Sequence, residues 1–93
     1  MNDQIKNLFM RDAIKHGNMW LYPKKVTLQI LKYCQDHEIK LHGIEGFWLY
    51  DWGGIEPSQE NSCWLKNAEP KDFMEFLINA EEDCCFELFY DGY

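Results

Sequence analysis

A chain of 93 residues, 46% hydrophobic and 16% aromatic, suffices for one small domain over residues 1–93 and is too apolar to be disordered. No apolar run approaches the roughly 20 residues of a membrane-spanning helix. The net charge of −7, from 16 acids against 9 bases, opposes direct nucleic-acid binding, because phosphate contacts are made chiefly by clustered Lys and Arg.

Asp3 precedes apolar residues at Ile5, Leu8, Phe9, Ala13 and Ile14, a helical stripe that Gly17 ends, so a first helix is expected from Asp3 to His16. Pro23 opens a second helical pattern at Val26, Ile30, Leu31 and Cys34. Lys24 and Lys25 occupy its first turn, where the helix dipole favours acids, so they are expected to point outward. From Ile39 the period changes to 2: Ile39, Leu41, Phe47 and Leu49 share one face of a strand, and Lys40, His42, Trp48 and Tyr50 the other. Gly43 and Gly46 predict a bend between them that places Glu45 and Trp48 at the surface.

Trp52-Gly53-Gly54 reads as a hairpin turn, followed by a short returning strand that Pro57 confines to an edge or ends early. The polar stretch Ser58 to Ser62 separates it from another short strand at Cys63-Trp64-Leu65, and Asn67 to Pro70 is a loop. Phe73, Phe76, Leu77 and Ala80 stripe a third helix, with Asp72 and Glu75 in its first turn. In the last strand Cys84, Phe86, Leu88 and Tyr90 alternate with Cys85, Glu87 and Phe89. The order ααββ(β)αβ predicts an α+β fold: a small mixed or mostly antiparallel sheet of about four strands packed with about three helices.

Charge is divided along the chain. Residues 1–42 carry four acids and seven bases, whereas residues 43–93 carry twelve acids and two bases. The acidic half also holds Trp48, Tyr50 and Trp52 beside Glu45, Asp51, Glu56 and Glu60. Concentrated acid steers a basic protein, and Trp and Tyr anchor interfaces, so these residues are the candidate partner-binding surface. The alternatives are that helices cover the rings as core and that the acids form a solvated face.

Catalytic chemistry has little to stand on. Cys34, Cys63, Cys84 and Cys85 lack the spacing of a disulfide scaffold, and charges at Asp3, Lys6, Arg11 and Asp12 interrupt the place of a signal segment. A cytoplasmic, thiol-reduced monomer is expected. His16, His37 and His42 form no metal-ligand spacing with the cysteines, and no phosphate-binding glycine motif occurs, so neither metal nor cofactor is expected. Glu45, set between glycines, together with a histidine such as His42, is the one enzymatic alternative.

The run LQILKYCQDHEIKLHGIEGFWLYDWGGIEPSQENS, from Leu28 to Ser62, resembles a layout in small bacterial immunity proteins, including relatives of those that neutralise tRNA-cleaving colicins and contact-dependent toxins. Gly43, Ile44, Glu45, Gly46 and Phe47 carry the match. The resemblance implies a non-enzymatic antidote that binds one cognate toxin, a basic nuclease domain, in the cytoplasm. Such a nuclease presents Lys and Arg to substrate phosphates, and an inhibitor can offer carboxylates instead. An inhibitor of a host nucleic-acid enzyme, carried by a phage or plasmid, would use the same physics.

Overall fold

The computed structural model describes residues 4–65 and 69–90. Its elements are α1 (Gln4–Phe9), β1 (Ile14–His16), β2 (Met19–Pro23), α2 (Lys24–Asp36), β3 (Leu41–Leu49), β4 (Ile55–Trp64), α3 (Pro70–Ile78) and β5 (Cys85–Tyr90), with a 3-10 turn at Met10–Asp12. The five strands form one antiparallel sheet in the order β1-β2-β5-β3-β4. The fold is α+β as expected, with one strand more. The expected helix start at Asp3, and residues 66–68 at and before the third helix's approach loop, lie outside the described residues.

Two strands, β1 and β2, precede Ile39, where a single helix to His16 and no strand were expected, and the merging of two expected short strands into β4 leaves the count one higher. α1 is six residues long and ends at Phe9. Ile14, Lys15 and His16 then pair with Leu21, Trp20 and Met19. Gly17, at φ +61 with Asn18 after it, supplies the left-handed residue that a two-residue hairpin places first. A six-residue helix is too short to propagate by itself, and cross-strand pairing with β2 takes the following residues.

The helices bury their stripes against one face of the sheet. Ile5 of α1, Ile30 and Leu31 of α2, and Phe73 and Leu77 of α3 pack with Ile44, Phe86 and Leu88 in one core. Each such side chain contributes roughly 1.5–3 kcal/mol of burial. The opposite face has a smaller core of strand residues only: Leu21, Phe47 and Cys85, with Met19, Leu49 and Ile55 packed against them. The sheet's two edges meet at one end. β1 and β4 are the two edges of the sheet, yet His16 Nε2 lies 3.3 Å from the Gly53 carbonyl oxygen in the hairpin that leads into β4.

β3 shows two register slips against its neighbours, of which the first reassigns its faces. One falls between Leu41 and Gly43 against β5, the other between Ile44 and Gly46 against β4. The first inserts His42 into β3, ahead of Gly43, and the second puts its extra residues on β4; between the two glycines, where a bend was expected, β3 pairs with β5 residue for residue. Leu41, expected to share a face with Phe47 and Leu49, packs instead in the helix-side core with Ile44 and Trp48, while Phe47 and Leu49 belong to the other face. An inserted residue exchanges every side chain beyond it.

β4 also differs from expectation, because the polar stretch joins the two short strands into one ten-residue edge strand. Gly46 pairs with Ser58 and Ile44 with Cys63, so residues 59–62 bow outward. Their polar atoms satisfy one another. Ser62 Oγ donates to the Ser58 carbonyl (2.6 Å) and accepts from the Gly46 amide (3.0 Å), while buried Asn61 donates to Ser58 Oγ (2.9 Å) and accepts from the Glu81 amide (2.9 Å). Pro57 lies on the edge strand, as its missing amide requires.

The helix ends are closed by local bonds and by one long-range cation. α2 finishes with Glu38 at φ 55, the Ile39 amide reaching the Cys34 carbonyl at 2.9 Å, and Glu69 and Asp72 form a capping box at the start of α3. Lys24 does not point outward. It is buried, and Nζ donates to the carbonyls of Ile78 (2.9 Å) and Ala80 (2.8 Å) and pairs with Glu82 at 3.4 Å. Its unfavourable place at the start of α2 is offset by its position at the C-terminal end of α3, where a cation is stabilised.

Candidate functional site

The β3–β4 hairpin ends in a tight three-residue loop. The Gly53 amide donates to the Tyr50 carbonyl and the Tyr50 amide to the Gly54 carbonyl, both at 2.9 Å, and Gly53 takes φ +93. Trp52, 80% exposed, is nevertheless held in place. Its ring stacks on Tyr50 with centroids 5.8 Å apart and planes 6° from parallel, and it lies across Gly54, where any Cβ would collide with it. Tyr50, 42% exposed, donates its hydroxyl to Glu56 Oε1 at 3.0 Å. That bond, then slight burial and the Glu56 charge, raises the Tyr50 pKa above its ordinary value.

Tyr50, Trp52 and Glu56 thus form one contact group at the tip, with exposed Asp51 in the same loop. Glu60 is exposed on the bowed stretch of β4. Trp48 is half-buried against the helix-side core, so its ring is not part of the tip's exposed surface. Glu45 stands apart from all of these. It is half-buried on β3, two residues from Phe47 and on the helix-free side of the sheet.

On that side Glu45 lies directly across from Glu87 of β5. Burial raises the Glu87 carboxyl pKa, repulsion from Glu45 raises it further, and Lys6 of α1 partly offsets both. Because the folded-state pKa lies above the ordinary 4.5, the charged carboxylate carries a stability penalty. The penalty is absent below the unfolded pKa and complete above the folded one. Glu87→Gln is therefore expected to raise the melting temperature at pH 7 and leave it unchanged at pH 3; an equal or lower value at pH 7 would remove the like-charge reading.

Beside the pair, Trp64 lies over Gly43, whose missing Cβ makes room for the ring, and reaches Phe89 with centroids 4.8 Å apart. Sequence reasoning placed Trp64 in the same acidic, aromatic stretch as Glu45 but did not group Glu87 and Phe89 with them. The alternation of the last strand put Glu87 and Phe89 on one face, but nothing local tells which strand lies alongside. An open groove of about 320 Å³ separates β1 from the hairpin, lined by Ile14, His16, Leu49 and Ile55 among others.

Burial pushes the Cys34 thiol up to about 12, and burial with nearby Cys85, Glu81 and Asp83 pushes Cys84 up to about 11; both are disfavoured as thiolates at neutral pH. Among the described residues, no three His, Cys, Asp or Glu side chains converge to hold a metal ion, and no helix is long and apolar enough to cross a membrane. No family model, curated protein or solved structure matches the chain.

Proposed function

We propose that this chain is a cytoplasmic immunity protein that binds and neutralises a cognate basic nuclease toxin. The observation that carries the reading is Trp52, a large ring held 80% exposed by Tyr50 and Gly54 at the tip of an acidic hairpin. Exposing an indole gains nothing for folding, whereas a ring already fixed loses little entropy on binding. Asp51 and Glu56 at the tip, and Glu60 farther along β4, supply carboxylates for the Lys and Arg that a nuclease presents to phosphate.

The experiment is a pull-down of the tagged protein from its native organism, followed by co-expression with the recovered partner. A basic nuclease whose toxicity is relieved on co-expression is the expected result. Recovery of a host nucleic-acid enzyme that no neighbouring gene encodes would favour the phage or plasmid inhibitor instead.

With the partner in hand, Trp52→Ala is expected to speed dissociation and cost about 2 kcal/mol or more of affinity. Neutralising Asp51, Glu56 and Glu60 to Asn or Gln should slow association and flatten its salt dependence. Trp48→Ala should lower the melting temperature more than the affinity, since its ring packs on the core. If the Trp52 and acid variants all bind within a factor of about two of wild type, far below the tenfold that 1.4 kcal/mol makes, the tip is a solvated face.

A further inference from the structure

The helix-free face of the sheet carries a second feature, separate from the hairpin tip. Glu45 and Glu87 are directly opposed across β3 and β5, an arrangement that destabilises a sheet when both are charged. Lys6 acts on Glu87 from α1, but its ammonium is also drawn to Trp20, 5.4 Å from the ring centroid, so it offsets the repulsion only in part. One residue further along the same face from each carboxylate, in the strand's alternation, come Phe89 on β5 and Gly43 on β3, and over Gly43 lies Trp64, 57% exposed. Two carboxylates, and two rings in contact with each other, therefore share the face of the sheet opposite the helix-side core.

We infer that this face receives an arginine side chain of the basic partner protein, its guanidinium between Glu45 and Glu87 and its plane against Trp64 and Phe89. The inference rests on the proposed function insofar as the occupant is a protein cation. Charge complementarity selects the occupant: a cation removes the repulsion that the free protein bears. Arginine fits better than lysine because its planar fork can donate to two carboxylates at once and its flat face stacks on aromatic rings. Gly43 has a role in the cradle, since any larger residue would lift the Trp64 ring away from the sheet.

The test titrates the whole isotope-labelled protein with tri-arginine peptide at low ionic strength and follows the Trp64 indole N–H and the Glu45, Glu87 and Phe89 amides by NMR. These signals are expected to shift saturably, to respond far less to tri-citrulline, and to lose at least fivefold in apparent affinity in Glu45→Gln/Glu87→Gln. Glu75→Gln/Asp83→Asn, which removes two exposed charges elsewhere, should change that affinity less than twofold. Thermal melts check that each variant is folded, and the single variants Glu45→Gln and Glu87→Gln report separately if the double variant is not. Shifts confined to the hairpin tip or α3, equal shifts with tri-citrulline, or unchanged binding by the carboxylate variants would overturn the cradle. A flat titration beside successful toxin neutralisation removes the cradle alone; a saturating one beside a partner that is not a nuclease removes the toxin reading alone.

Discussion

Gly46→Val is expected to destabilise the protein by about 3 kcal/mol or more, read as a large drop in urea midpoint, and to lower the yield of folded protein. The cause is contact rather than backbone angle: among the described residues the glycines with positive φ are Gly17 and Gly53, and Gly46 is not one of them. A Cβ on Gly46 would lie within the carbonyl oxygen of Asn61 and 2.8 Å from its Cβ. Asn61 cannot retreat cheaply, because its side chain holds Ser58 Oγ and the Glu81 amide, and Gly46 itself donates to Ser62 Oγ. Moving that strand would leave buried polar groups unsatisfied at about 1–3 kcal/mol each. Gly17→Ala is the control: nothing lies within 4 Å of its Cβ, so only the left-handed backbone penalty of about 1 kcal/mol applies. An unchanged midpoint for Gly46→Val would mean that β4 can slide away and that the bulge does not depend on close approach.

Lys24→Met is expected to cost about 3 kcal/mol, whereas the same change at neighbouring exposed Lys25 should stay within about 0.5 kcal/mol. Methionine keeps the length and apolar stem of the side chain but leaves the carbonyls of Ile78 and Ala80 without the donor they now share. Hydrogen bonds from a charged donor are each worth roughly 1.5–3 kcal/mol. Most of this strength lies in the carbonyl bonds, because Glu82 is 85% exposed and its ion pair with Lys24 is screened by water. Glu82→Gln should accordingly change stability little. Thermal unfolding of the three variants checks the ranking, and a Lys24→Met loss no larger than that of Lys25→Met would sink the role of Lys24 as the cap of α3.

Local patterns were enough for the elements whose signals are local. The apolar stripes of α2 and α3, the alternation of β5, the glycine turn after Trp52 and the edge position of Pro57 follow from periodicity and turn chemistry within a few residues. The candidate surface was legible to the same extent: Tyr50, Asp51, Trp52 and Glu56 are close in sequence, and a tight hairpin brings them together. Where two structures share one local pattern, the pattern does not choose. Ile14 continues a helical stripe and equally begins a strand, and pairing with Leu21 decided for the strand.

Tertiary structure alone decided the rest, because each feature depends on which distant backbone lies alongside. The bulge in β3 at His42 arises from its pairing with β5, and it sets Leu41 on the helix side with Trp48 while Phe47 lies on the other. The target carbonyls of Lys24 are 54 and 56 residues away, so its sequence neighbours showed only the mismatch with the dipole of α2. Glu45 and Glu87 were each visible as acids on a strand, but their opposition follows from the placement of β5 beside β3. Periodicity determines which side chains share a face of one element; register and strand order determine what those faces meet.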